Sequence, residues 1–164
     1  MRSLFLSLLL SAVFVLPAGA AVDTSKLQLP GDITLEQART VVEGALEFAK
    51  KQGVPMNITV VDAGGNLKAF CRMDGAFLGS IDISQKKAVT ARRFNMSSAE
   101  LGALAQPGKE LFGIEATNGG LAIFGGGELL RDRNGVIIGA IGVSGGSVQE
   151  DPNVAKAGAA ALGK

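Results

Sequence analysis

Few side chains in this 164-residue chain are equipped for chemistry. Histidine, tyrosine and tryptophan are absent, and there is one cysteine, Cys71. A histidine-based catalytic triad, a histidine-ligated zinc site and an imidazole proton shuttle are excluded by composition. Soft donors reduce to Cys71 and methionines such as Met56, Met73 and Met96. Acid–base work falls to Asp, Glu, Lys or the thiol. Asp62, Asp74 and Asp82 stand near strand ends or a helix start, where turn and capping roles compete with a hydrolytic pair. Cys71 lies in an alternating segment on its apolar face, which favours a buried thiol over a nucleophile. The glycines at 139, 142, 145 and 146 suggest a phosphate loop. They lie inside a predicted strand after an Asn-Gly turn, not between a strand and a helix, so nucleotide binding is rejected. Glycine there lets a helix or ligand lie close to the sheet.

The elements that position these residues follow from periodicity. Thr34 and Gln37 form a capping box, and Ala38, Val41, Val42, Ala45, Leu46 and Ala49 recur at helical spacing until Gly53. Residues 57–62 and 67–73 form a hairpin about Ala63-Gly64-Gly65-Asn66. In its second strand Leu67, Ala69, Cys71 and Met73 share one face, and Lys68, Phe70 and Arg72 the other. Residues 80–94 read as a helix whose end carries Lys86, Lys87, Arg92 and Arg93, suited to a helix C-terminus. Ser97 and Glu100 cap a short helix closed by Pro107-Gly108, and residues 109–120 form an irregular connector. Strands are predicted over 121–124, 128–131 and 135–144. A last helix is predicted with Asp151 as N-cap and Pro152 at its first position. The order implies an α/β (α+β) domain with a mainly antiparallel sheet of five strands flanked by helices.

Residues 1–20 read as a cleavable signal peptide. Arg2 gives a positive start, residues 4–16 are apolar, and Ala18-Gly19-Ala20 supplies the small residues before a cut at Ala21. The run is shorter than the roughly 20 residues a spanning helix needs. Residues 21–164 then form one domain, placed in the periplasm or outside the cell. Its 16 Lys and Arg against 15 Asp and Glu leave it near neutral, which argues against nucleic acid or an anionic membrane as partner. An exported lone thiol has no internal disulfide partner.

Several motifs in one order resemble the GlcG/HbpS family of haem-binding proteins. They are Val61-Asp-Ala-Gly-Gly-Asn66, Arg72-Met-Asp-Gly-Ala76, Ser80-Ile-Asp-Ile-Ser84 with Lys87-Ala-Val-Thr-Ala91, and Gly135 to Gly146 followed by Glu150-Asp151. The resemblance runs from about Thr34 to Leu162. It implies a profilin-like fold with a central five-stranded antiparallel sheet, haem or a related tetrapyrrole as ligand, and a homo-oligomer. It also implies haem sensing, scavenging or storage, with a membrane sensor or periplasmic enzyme as possible partner. Related domains are fused to cobalamin adenosyltransferases. Arg72, Met73, Asp74, Lys86, Thr90 and Thr117 are the residues it offers for the cofactor; family members that ligate through histidine have no counterpart here, so Cys71 is taken as the metal ligand, with Met56, Met73 and Met96 as the other soft donors. Threonine ligation is reported within the family. Arg72, Lys86, Arg92 and Arg93 would meet propionates, and Phe70, Met73, Phe77, Phe112 and Phe124 would wall the ring. Two other function classes remain open on the residues: an enzyme degrading haem or acting on a small organic acid or aldehyde, and an oligomeric interaction module without ligand.

Overall fold

The computed structural model describes residues 31–163. The predicted signal peptide at residues 1–20 lies outside them. Helix α1 spans Leu35–Gln52, strand β1 Asn57–Asp62, β2 Leu67–Arg72, α2 Gly79–Phe94 and α3 Ser98–Leu104. A 3-10 turn covers Ile114–Ala116. Then come β3 over Gly127–Arg131, β4 over Ile137–Ser144 and α4 over Glu150–Ala161.

Both expected capping boxes are present. Thr34 Oγ1 accepts from Gln37 N at 3.1 Å while Gln37 Oε1 accepts from Thr34 N at 2.9 Å, and Ser97 exchanges the same bonds with Glu100. Gly53 ends α1 at φ 74°, a left-handed conformation that glycine adopts without a Cβ penalty.

Among the described residues the sheet has four strands, all antiparallel, in the order β2-β1-β4-β3. The expected fifth strand over 121–124 does not form. Leu121 N donates to Glu115 O and Ala122 N to Thr90 Oγ1, so its amides serve the connector and α2, not a ladder. Helices α1 and α4 pack together on one face, and α2 crosses β1, β4 and β3 on the other. The main core (Ile58, Val60, Ile141 and Val143 with Val41, Ala45 and Val154) fills the α1/α4 side. A smaller one, Val61 and Ala140 with Ala88 and Ala91, lies beneath α2. Gly142 permits that closeness, since a Cβ there would run into the Ser84 carbonyl.

The start of α4 differs from expectation. Ser147 N donates to Glu150 Oε2 at 2.8 Å and Glu150 N to Ser147 Oγ at 3.2 Å, so this pair, not Asp151, closes the helix entrance. Pro152 is tolerated because the first-turn amides have no intrahelical acceptor. Asp151 is free for another task.

Candidate functional site

Among the described residues β2 is an edge strand, and its alternation divides the predicted site. Cys71 lies opposite Ile58, and Ala69 opposite Val60. Directly opposed residues share a face, so Ala69, Cys71 and Met73 turn toward α1 and pack against the main core. Phe70 lies opposite Thr59, whose hydroxyl meets Ser84 of α2 at 2.9 Å, so Phe70 and Arg72 project to the other side.

Between α1 and β2 runs a groove made of two adjoining clefts that share Leu46. One, of about 400 Å³, is lined by Leu46, Lys50, Cys71, Arg72, Met73 and Asp74. The other, also about 400 Å³, is lined by α1 residues including Leu35, Arg39 and Val42 and by Lys68, Ala69 and Phe70. Four of the seven predicted residues thus gather at one end of one groove. Met73 Sδ is already engaged, accepting from Met56 N at 3.3 Å. Cys71 is partly exposed. Leu46 and Lys50 complete this cleft. The periodicity of α1 places Leu46 on its apolar face and leaves Lys50 off it, and their i, i+4 spacing is the signal that joins them.

The other three lie elsewhere. Thr90 is on α2, beyond the sheet from Cys71, fully buried and accepting from Ala122 N at 3.1 Å. Lys86 pairs with Asp82 at 2.9 Å and reaches toward Gly120. Thr117 donates to Ile114 O, and Arg93 donates to Asn118 O nearby. Lys86, Arg93 and Thr117 therefore converge on the 117–120 turn, and the sheet separates Thr90 from Cys71. The candidate aromatic wall disperses too: Phe112 and Phe77 are exposed, and Phe124 covers a lysine. The carboxylates act separately. Burial pulls the Asp62 carboxyl upward, but hydrogen bonds from Asn66 and Gly64, with the Lys68 charge, outweigh it and hold it below the usual range. Asp62 closes the β1–β2 turn, and among the described residues no group of three Cys, Asp or Glu could hold a metal ion. No helix among them is long and apolar enough to cross a membrane.

Sequence reasoning missed the most deeply buried charges. Lys87, at 0% exposure, donates to Asp151 Oδ2 at 2.6 Å and to Val143 O at 3.0 Å, and its Nζ lies 4.7 Å from the centroid of the Phe124 ring. Asp151 Oδ1 accepts from Gly146 N at 2.8 Å. The pair ties α2 to α4 around the end of β4. Burial pushes the Lys87 ammonium below and the Asp151 carboxyl above their ordinary values, each opposed by the other's charge. Every polar atom is satisfied, which marks a structural cross-link. Lys87 had been read as a helix-end cation and Asp151 as a cap. Their separation by 64 residues left no local signal.

A family model described as haem degrading protein HbpS-like matches residues 33–160. The chain belongs to the HbpS-like family. An uncharacterised 15.0 kDa protein of Citrobacter freundii is 40% identical over 127 residues, covering 77% of this chain and 89% of that protein. The corrinoid adenosyltransferase PduO of Salmonella typhimurium is 36% identical over 139 residues, which are 84% of this chain but 41% of that protein. The HbpS-like chain thus spans about two-fifths of the adenosyltransferase. Among solved structures, Klebsiella pneumoniae ORFY superposes with a TM-score of 0.78 at 36% identity, over 83% of this chain and 94% of that one. A PduOC:heme complex gives 0.75 at 36%, over 79% and 94%. A double mutant of Streptomyces reticuli HbpS gives 0.73 at 33%, over 94% and 99%. The neighbours share the mixed α/β fold, and the expected five-stranded sheet is corrected to four strands among the described residues.

Proposed function

We propose that this protein is exported and binds haem, or a closely related tetrapyrrole, in the groove between α1 and β2, for capture or sensing outside the cytoplasm. The observation that carries the reading is the cleft itself. It brings one soft donor, Cys71, together with the apolar Leu46 and Met73 and the cation Lys50, and the edge-strand residue Arg72 also lines it. A tetrapyrrole asks for that set: an apolar slot, cations for its propionates and an axial ligand. With Met73 sulfur turned to a backbone amide, Cys71 is the free soft donor of the cleft. The similar PduOC domain, crystallised with haem, supports the ligand class. The leader at residues 1–20 supports export.

The test is a haemin titration of the chain purified from the periplasm of an expression host. A saturable Soret shift is expected, and Cys71→Ser should move the band and weaken binding at least about tenfold, the loss of one good ligand bond. An unmoved Soret band at all haemin concentrations overturns the proposal. Bleaching with release of an open-chain product would turn it toward degradation, the activity in the family's description.

A further inference from the structure

Strand alternation carries a row of polar side chains to the face beneath α2. Asn57, Thr59 and Val61 of β1 share one face, and the Thr59 hydroxyl meets Ser84 of α2 at 2.9 Å, so that face is the α2 side. Asn57 lies directly opposite Arg72 of β2 and Ser144 of β4. Opposed residues share a face, so Arg72, Asn57 and Ser144 stand abreast across three strands. Ser80, a helical turn before Ser84, opens α2 above them. Asn57 is 0% exposed, Ser144 4% and Ser80 7%, a polar stretch where the α1 side of the same sheet is apolar.

Among the described residues three groups at this place lack partners. Asn57 Nδ2 donates to Phe77 O at 3.0 Å, and Ser80 N donates to the same carbonyl at 3.2 Å, which fixes the Asn57 amide against the start of α2. Asn57 Oδ1 is buried there and accepts no hydrogen bond, a costly state for an oxygen cut off from water. The second group is the Gly79 N–H. Leu78, the N-cap of α2, supplies no side-chain bond, and Gly79 N has no acceptor. A Cβ at Gly79 would meet nothing within 4 Å, so the helix entrance is open at that point. The third is the Arg72 guanidinium, which pairs with no carboxylate. Asp82, the acidic residue in the first turn of α2, is held by Lys86 at 2.9 Å.

We propose that this entrance binds a small 2-hydroxycarboxylate. A guanidinium fork and a free N–H at the positive end of a 16-residue helix suit a carboxylate, and one guanidinium balances its single charge. Asn57 Oδ1 asks for a donor, which a carboxylate lacks and a hydroxyl on the neighbouring carbon has. The Ser80 and Ser144 hydroxyls border the same spot and both donate and accept. Asn57, Ser80 and Ser144 are nearly closed over, so the ligand is a short one. The site lies across the sheet from the α1/β2 groove and does not rest on the haem reading.

The experiment uses the chain purified from the periplasm of an expression host, with lactate as the probe. Propionate is its match in size without the hydroxyl. Calorimetric titration should show saturable lactate binding at one per chain. Propionate should bind at least about tenfold more weakly, because it leaves Asn57 Oδ1 unmet. Arg72 is exposed on its strand, so Arg72→Gln should fold as wild type by circular dichroism and should weaken lactate at least about tenfold. Arg72→Lys should recover part of that loss, since it keeps the charge without the fork. In nitrogen-15 NMR spectra the largest shifts on adding lactate should fall on the Gly79 and Ser80 amides and the Asn57 side-chain amide. No saturable heat with lactate, equal affinity for the two acids, unchanged affinity in Arg72→Gln, or shifts centred elsewhere each overturns the proposal. Lactate binding with no Soret response to haemin removes the haem reading and leaves this site. A Soret response with no lactate binding removes this site and leaves the haem reading.

Discussion

Lys87→Met tests the account of the buried ion pair most directly. The substitution keeps an unbranched apolar stem and deletes the ammonium. Asp151 Oδ2 then loses its 2.6 Å partner and Val143 O its 3.0 Å donor, in a place where neither reaches water. Removing one member of a buried pair costs about 3–5 kcal/mol, because the other charge stays behind uncompensated. In a domain of this size that is a fall of roughly 10–20 °C in Tm. Asp151→Leu should cost a similar amount by stranding the ammonium. The double variant removes both charges and leaves the Val143 carbonyl and Gly146 N–H without partners, at about 1–3 kcal/mol each. It recovers the desolvation of two ions, so it should be no less stable than either single variant, with a coupling energy of about 3 kcal/mol or more. Urea and thermal unfolding followed by circular dichroism would measure all four proteins. Single variants within about 1 kcal/mol of wild type, or a double variant equal to the sum of the singles, would refute the reasoning. The pH profile gives a second check. Burial raises Asp151, so its contribution is present below the ordinary value of 3.8 and is lost as pH rises through the folded value. Burial lowers Lys87, so its contribution is present above 10.5 and is lost as pH falls through the folded value. The pair therefore contributes least in the middle of the range, and the double variant should show a flatter stability profile.

Two further outcomes follow from burial and close approach. Burial raises the half-buried Glu128 carboxyl, the nearby Glu100 adds to the rise, and Lys156 opposes it. A raised carboxyl contributes stability below about pH 4.5 that is lost as pH rises through the folded value. Glu128→Gln should then gain on wild type between pH 4 and pH 7 in urea midpoints; a difference that shrinks over that range contradicts the assignment. Gly142→Ala would drive a methyl group into Ser84 O and Ala88, forcing α2 off the sheet. It should lose at least about 2 kcal/mol in thermal unfolding, as overpacking does, and an unchanged midpoint would show that α2 does not depend on that contact.

By itself the sequence determined the elements whose causes are local. The capping boxes at Thr34 and Ser97, the stop at Gly53, the hairpin turn at Asp62 to Asn66 and the two-residue alternation of β2 are each written within a few neighbouring residues. The motifs carried the family, and composition removed the histidine chemistries. Tertiary structure decided what depends on where those elements meet. Residues 121–124 have the composition of a strand, yet their amides were claimed by Glu115 and Thr90. Asp151 has the look of a cap, yet it serves a lysine 64 residues away. Thr90 belongs to a family motif and Cys71 directly precedes another, but the sheet stands between them, so one ligand does not touch both. The groove exists because β2 lies beside α1, which no local pattern states. Periodicity sets which face of an element is apolar, and the packing of faces sets which side chains become neighbours.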